Sequence, residues 1–147
     1  MNFPRYLAGA VLMLAAACAH AIDYRSVGPA AVVLYDAPSV KGNKLFVAPH
    51  GMPVEVVVSF ADWVKVRDMS GDLSWTEKKN LVATRMVVVK SAGAKVRATA
   101  DENGNVLYQA DKGLLLELAD PQVGVWVKVH HHDGGTGYVK ASDIWGI

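Results

Sequence analysis

The sequence predicts an all-β protein built from two small barrels in tandem after a short export leader, and three observations carry that prediction. One tetrapeptide occurs twice, as Trp63-Val64-Lys65-Val66 and as Trp126-Val127-Lys128-Val129. The same landmarks flank each copy: Gly51 and Gly113 ahead of it, then Gly71 and Gly134, Trp75 and Tyr138, and Leu81 and Ile144 behind it. Farther upstream, Lys41 to Gly51 lies ungapped over Asn103 to Gly113. Self-similarity on that scale signals a repeated structural unit. Secondly, short runs rich in Val, Tyr and Trp alternate with Gly, Pro and Asn turn chemistry, the pattern of small antiparallel barrels. Thirdly, nothing after the leader has the length or period of an amphipathic helix.

Residues 1–21 read as the leader. Arg5 supplies a positive start, Leu7 to Ala17 an apolar run, and Ala19-His20-Ala21 the small-x-small pattern of a signal-peptidase site. The run is short for a membrane span, which needs about 20 apolar residues. Cys18 raises the competing possibility of a lipid anchor, but Ala15 stands where that signal carries a larger aliphatic residue. The chain is therefore expected to be exported, periplasmic or secreted. It has 15 basic and 14 acidic side chains, and Arg5 leaves with the leader. A charge near zero argues against nucleic acid or an anionic membrane as partner. No later stretch is apolar enough to be a transmembrane segment. The one cysteine, Cys18, lies in the leader, so no disulfide holds the processed chain. A single unit of about 60 residues buries too little to be more than marginally stable, so the halves are expected to pack together.

In chain order, Ile22 to Ala30 reads as a lead-in ending at the Gly28-Pro29 turn signal. Ala31 to Tyr35 is β-branched and aromatic, hence a strand, and Asp36-Ala37-Pro38 breaks it. Lys44 to Val47 and Pro53 to Val58 follow as strands on either side of Pro49-His50-Gly51. Trp63 to Arg67 alternates strictly, which puts Val64 and Val66 on one face and Trp63 and Lys65 on the other. Met69 to Asp72 turns the chain into a return strand, Leu73 to Thr76, and Glu77 to Asn80 forms a short helical turn before Leu81. Arg85 to Lys90 is a valine-rich strand, and Ser91-Ala92-Gly93 is taken as the hinge. The units are then 22–90 and 91–147. The second repeats the plan: Lys95 to Arg97 as its first strand, Leu114 to Leu118 as its long one, and a hairpin from Val125 to Val139.

Gly51-Met52-Pro53-Val54-Glu55-Val56, followed by Trp63 and Val66-Arg67-Asp68 with Gly71 ahead of an aromatic, resembles the bacterial Src-homology-3 (SH3) type domain. Gly137-Tyr138-Val139 and Asp143-Ile144-Trp145-Gly146-Ile147 are similar to that family's closing motifs. The resemblance spans essentially the whole chain after the leader and narrows to exported tandem SH3-like proteins of Gram-negative bacteria. It departs at Ser74-Trp75-Thr76, where the family has Gly-Trp-Val, and at Val33-Leu34-Tyr35, where the family has Asn-Val-Arg; Lys95-Val96-Arg97 comes nearer to that opening. The resemblance implies two tandem SH3-like, partly open barrels of five or six strands and a binding rather than catalytic role, often at peptidoglycan. Val33-Leu34-Tyr35-Asp36-Ala37 is also similar to the opening of eukaryotic polyproline-binding SH3 domains, but the second tyrosine and acidic loop of those domains are missing.

The chemistry agrees with a binding module. The processed chain has no cysteine nucleophile. Ser59, Ser70, Ser74, Ser91 and Ser142 carry no triad signature, and no carboxylate pair is spaced for glycoside hydrolysis. No cofactor is called for. The candidate ligand-binding residues are Tyr35, Trp63, Arg67, Asp68 and Trp75 in the first unit and Trp126 and Tyr138 in the second. An outward tryptophan either caps its barrel or forms a stacking surface. Trp145 is expected to plug the second barrel or the seam between barrels. His130-His131-His132-Asp133 reads first as a polar loop. Were it a metal site, an extended arm would pair His130 with His132, and Asp133 or His50 would complete the set. The favoured ligand is a peptidoglycan peptide or glycan; the runner-up role is a protein-protein adaptor that positions or regulates an envelope enzyme. A periplasmic metal-binding accessory is the third reading.

Overall fold

The computed structural model describes residues 21–133 and 135–147; residues 1–20, with Cys18 and nearly all of the expected leader, lie outside them. The first unit holds seven strands: β1 (Asp23–Val27), β2 (Val32–Tyr35), β3 (Lys44–Ala48), β4 (Pro53–Phe60), β5 (Trp63–Arg67), β6 (Leu73–Glu77) and β7 (Leu81–Val82). The second repeats them as β8 (Met86–Val89), β9 (Ala94–Arg97), β10 (Val106–Ala110), β11 (Leu115–Leu118), β12 (Trp126–His131), β13 (Gly135–Lys140) and β14 (Ile144–Trp145). A 3-10 turn precedes the last strand of each unit, at Lys78–Asn80 and Ala141–Asp143. The strand orders are β3-β2-β6-β5-β4-β1-β7 and β10-β9-β13-β12-β11-β8-β14, the same order in each unit. All the pairings are antiparallel. Among the described residues the end strands of each sheet do not pair with one another, so each sheet is strongly curved but open.

Alternation builds both cores. Val64 and Val66 in β5, and Val127 and Val129 in β12, point inward and are buried, while Trp63, Lys65, Trp126 and Lys128 lie on the outer face. Leu34, Ala48 and Val54 in the first core and Val96, Ala110 and Leu116 in the second are buried at equivalent places. Fully burying one such valine or leucine contributes roughly 1.5–3 kcal/mol, and neither unit contains a cysteine, so the stability of each rests on these side chains. Thr76 is wholly buried, and its Oγ1 accepts a hydrogen bond from Asn80 Nδ2 at 3.2 Å, which satisfies the hydroxyl where the second unit has Val139.

Two sequence expectations are corrected here. The lead-in Ile22 to Ala30 contains strand β1, which pairs with β4 and β7. Likewise the valine-rich strand β8, taken above as the end of the first unit, pairs with β11 and β14 in the second sheet. Ser91-Ala92-Gly93 thus lies inside the second unit, and the chain crosses between sheets just before Met86. The reason is burial. Val87, Val88 and Val89 are all buried, two against their own sheet and one toward the seam, so the strand reads as an unbroken apolar run without period.

The seam is aromatic and hydrogen-bonded. The Tyr24 and Trp145 rings meet edge to face, with centroids 5.2 Å apart. Arg85 lies 5.4 Å from the Tyr24 ring and donates to the Gly146 carbonyl at 2.9 Å. The Met86 amide donates to Ser26 Oγ across the units at 3.2 Å. Trp145 therefore serves the seam, one of the two places expected for it.

Candidate functional site

The outer face of the first sheet carries a shallow cavity of about 210 Å³, lined by Ala31, Val32, Val33, Tyr35, Trp63, Glu77 and Asn80. Register explains the grouping. Trp63 on β5 pairs with Glu77 on β6, and Tyr35 on β2 pairs with Trp75 on β6, so one sheet face presents these side chains side by side. Tyr35 and Trp63 meet nearly at right angles, at 80° with centroids 5.8 Å apart, an edge-to-face arrangement that orients both rings in the cavity wall. Trp75 lies beside the cavity rather than in its wall, under Lys65 Nζ at 5.8 Å.

The second sheet carries a cavity of about 250 Å³ at the equivalent place, lined by Gly93, Lys95, Arg97, Glu102, Trp126, Lys140 and Asp143. Trp126 again pairs across to the last residue of the neighbouring strand, here Lys140. The positions match those of the first unit, but the chemistry does not. Arg97 replaces Tyr35, Lys140 replaces Glu77, Lys95 replaces Val33 and Asp143 replaces Asn80. Lys140 Nζ sits 5.8 Å from the Trp126 ring centroid. It also contacts the Glu102 carboxylate, which Arg97 approaches at 3.9 Å. The hydrogen bond from Lys140 holds the Glu102 carboxyl below its usual range, with a smaller contribution from Arg97. Arg97 further donates to the Gly104 carbonyl at 2.8 Å.

The structure brings together only part of the set expected from sequence. Tyr35 and Trp63 share one cavity, and Trp126 stands alone among aromatics in the other; Tyr138 pairs with Lys128 and Arg97 but does not line it. All six candidate rings, Trp145 included, are half-buried. Arg67 is held by Glu55 at 3.0 Å. Asp68 is drawn into its own turn, where its carboxylate accepts the Ser70 and Asp72 amides at 2.8 and 3.0 Å. It borders a different cleft of about 670 Å³ between the units, lined largely by apolar residues such as Leu45, Phe46, Met52, Leu73 and Leu115. Glu77, Asn80, Lys95, Arg97, Glu102 and Lys140 were not singled out beforehand. The signal lay in the repeat, since overlaying the two Trp-Val-Lys-Val copies sets Glu77 over Lys140.

The histidine expectation also changes. β12 ends at His131, so His132 belongs to the turn, and strict alternation stops between them. The His131 and His132 rings lie 4.4 Å apart instead of on opposite faces, and His130 Nδ1 pairs with Thr136 Oγ1 at 3.1 Å.

A family model described as the bacterial SH3 domain matches this chain twice, over residues 28–82 and 90–146. No curated protein is similar enough to match. Among solved structures, NlpC2 from Trichomonas vaginalis aligns over 85% of this chain and 48% of its own, at 9% identity and a TM-score of 0.39. NlpC1 from the same organism aligns over 92% of this chain and 49% of its own, at 11% identity and a TM-score of 0.36. The chain spans about half the length of these two proteins. No helix among the described residues is long and apolar enough to cross a membrane.

Proposed function

The chain belongs to the bacterial SH3 domain family, and on that premise we propose that it is a non-catalytic binding module of the cell envelope that recognises peptidoglycan peptide or glycan through its two outer cavities. The observation that carries this reading is the pair of cavities at equivalent places, each floored by the tryptophan of the repeated tetrapeptide. The first offers two rings and a carboxylate. A sugar ring or an alkyl side chain stacks on Tyr35 and Trp63, while Glu77 accepts from a hydroxyl or an amine. The second offers Lys95, Arg97 and Lys140 beside Trp126, a setting for a ligand carboxylate that would displace Glu102 from Lys140 and Arg97. Peptidoglycan stem peptides carry both amines and carboxylates next to a glycan, so one ligand class meets both chemistries. Co-sedimentation of the protein with purified sacculi at low salt tests this, with quenching of tryptophan fluorescence by soluble muropeptides as the second readout. A protein that stays in the supernatant and shows no quenching refutes it.

A protein-protein adaptor is the second reading, favoured by one observation. Edge strand β3 exposes Leu45, Phe46 and Val47, each about half accessible, beside the apolar cleft between the units. A partner copurifying after sacculi are removed, and lost on Phe46→Ser, would select this role.

A further inference from the structure

His20 lies in the leader; the other four histidines of the chain, drawn from both units, gather in one place. His50 of the first unit and His130 and His132 of the second line a cavity of about 360 Å³ at the seam, together with Glu117 and Met86. His131 joins them through ring contact with His132. Asp133 reaches both rings, with its carboxylate oxygens 3.0 Å from His132 Nε2 and 3.7 Å from His131 Nδ1. One ligand atom from each of His131, His132 and Asp133 lies within 4.8 Å of the others. Donors bound to one zinc ion at about 2.0–2.2 Å sit roughly 3–3.5 Å from one another. Small rotations of three side chains therefore suffice to close the set, and they start from a strand end that already holds His131 largely buried.

His50 is prepared to contribute as well. Its Nδ1 faces the Gly28 carbonyl at 2.7 Å. A carbonyl only accepts, so Nδ1 carries the proton and Nε2 is left with a bare lone pair. A histidine whose second nitrogen donates to a backbone carbonyl is the usual arrangement for a metal-binding imidazole.

We propose that this cluster binds one divalent cation of the imidazole-preferring class, zinc or copper, with His131, His132 and Asp133 as ligands at the hairpin tip and His50 Nε2 as the fourth donor from the other unit. Two or three imidazoles select such ions over calcium or magnesium, which take oxygen donors. Because the fourth ligand comes from the turn between β3 and β4, the bound ion fastens the β12–β13 hairpin to the first unit. The site lies apart from both aromatic cavities, whose linings it does not share.

The test is calorimetric titration of the untagged chain with zinc and with copper, using magnesium as the control. One equivalent binds saturably, His132→Ala and Asp133→Ala each weaken binding tenfold or more, and His50→Ala weakens it at least threefold. Both side chains at the tip are mostly exposed, so these variants are expected to keep the wild-type circular dichroism. Nitrogen couplings in the electron paramagnetic resonance spectrum of the copper-loaded chain give an independent count of imidazoles. Absence of saturable binding, a His132→Ala variant that titrates as the wild type, or a copper spectrum without imidazole nitrogen overturns the site. A His50→Ala variant with unchanged affinity overturns the bond between units.

Discussion

Replacing Gly137 by alanine should damage the second unit far more than its size suggests. Gly137 sits in β13 with its Cα facing β9, and an added Cβ would lie 2.6 Å from Val96 Cγ1, 2.9 Å from the Arg97 carbonyl oxygen and 3.1 Å from Leu107 Cδ1. The leucine can turn aside. Val96 is fully buried and β-branched, with restricted χ1, and the carbonyl oxygen is part of the backbone. Relief therefore requires β9 to move away from β13. Overpacking of this kind costs about 1–3 kcal/mol. Taking ~2 kcal/mol, and about 4–8 °C per kcal/mol for a domain of 60–100 residues, Tm falls by roughly 8–16 °C if the second unit melts alone. It falls by about half that if the two units melt together. Differential scanning calorimetry measures the drop, with Ser74→Ala as control because the first unit already accommodates a Cβ at the equivalent place. The displaced strand carries Lys95 and Arg97, so the second cavity should lose its ligand while the first keeps its own. A Tm within ~2 °C of the wild type would show that the close approach of β9 to β13 is not a packing constraint.

Ala61 occupies the turn between β4 and β5 with φ at +47°, a conformation that costs an L-residue about 1–2 kcal/mol; Ala61→Gly should therefore raise the urea midpoint by roughly 1 kcal/mol of stability, and an unchanged midpoint would refute the strain. Trp63→Ala should weaken sacculus binding about 30-fold, from the ~2 kcal/mol that a buried aromatic anchor supplies; Trp126→Ala should cost less, since that cavity has one ring, and equal losses would contradict the assignment. For Glu102 the folded carboxyl titrates below its ordinary range, so its pairing with Lys140 is present above the unfolded value and lost as pH falls through the folded one. Carbon-detected NMR should accordingly show the Glu102 midpoint rising in Lys140→Met, whereas an unmoved midpoint removes the ion pair from the account.

Most of the fold was legible because it was written twice. Period-two alternation at Trp63 to Arg67 and at Trp126 to Val129 assigned inner and outer faces correctly, and the Gly71 turn closed its hairpin as expected. What escaped was β1 as a strand, and β8, though read as a strand, as the opening of the second unit. β1, Asp-Tyr-Arg-Ser-Val, has polar residues where β8 has valines, so the two copies share almost no side chains, and only pairing to β4 and β11 reveals them as equivalents. Strand β8 is packed from both sides and β1 from one, a difference of environment that no local pattern expresses. Trp63 and Trp126, named from sequence, line one outer cavity each, whereas their charged neighbours emerge only from overlaying the two copies. Asp68, a candidate ligand-binding residue from sequence, uses its carboxylate to build a turn. The histidines misled in another way, since their facing depended on where β12 stops.

Comparison of the copies, position by position, separates what the scaffold needs from what the surface is for. Inward places keep their character, with Leu34 over Val96, Ala48 over Ala110, Val54 over Leu116, and Val64 and Val66 over Val127 and Val129. Outward places around the tryptophan change sign or type: Tyr35 over Arg97, Val33 over Lys95 and Glu77 over Lys140. Core packing constrains volume and polarity and so accounts for the first group. It places no demand on the second, because none of those side chains is fully buried. Here the differences at one equivalent cavity turn a wall with two rings and one carboxylate into one with a single ring, three cations and two carboxylates. Two identical sites would raise avidity for a repeating ligand, whereas two unlike sites on a fixed seam select a ligand with unlike ends. The predicted consequence is that exchanging Glu77 and Lys140 in one double variant preserves the fold and net charge but abolishes binding to sacculi. Retained binding would mean that the two cavities act independently on whatever they hold.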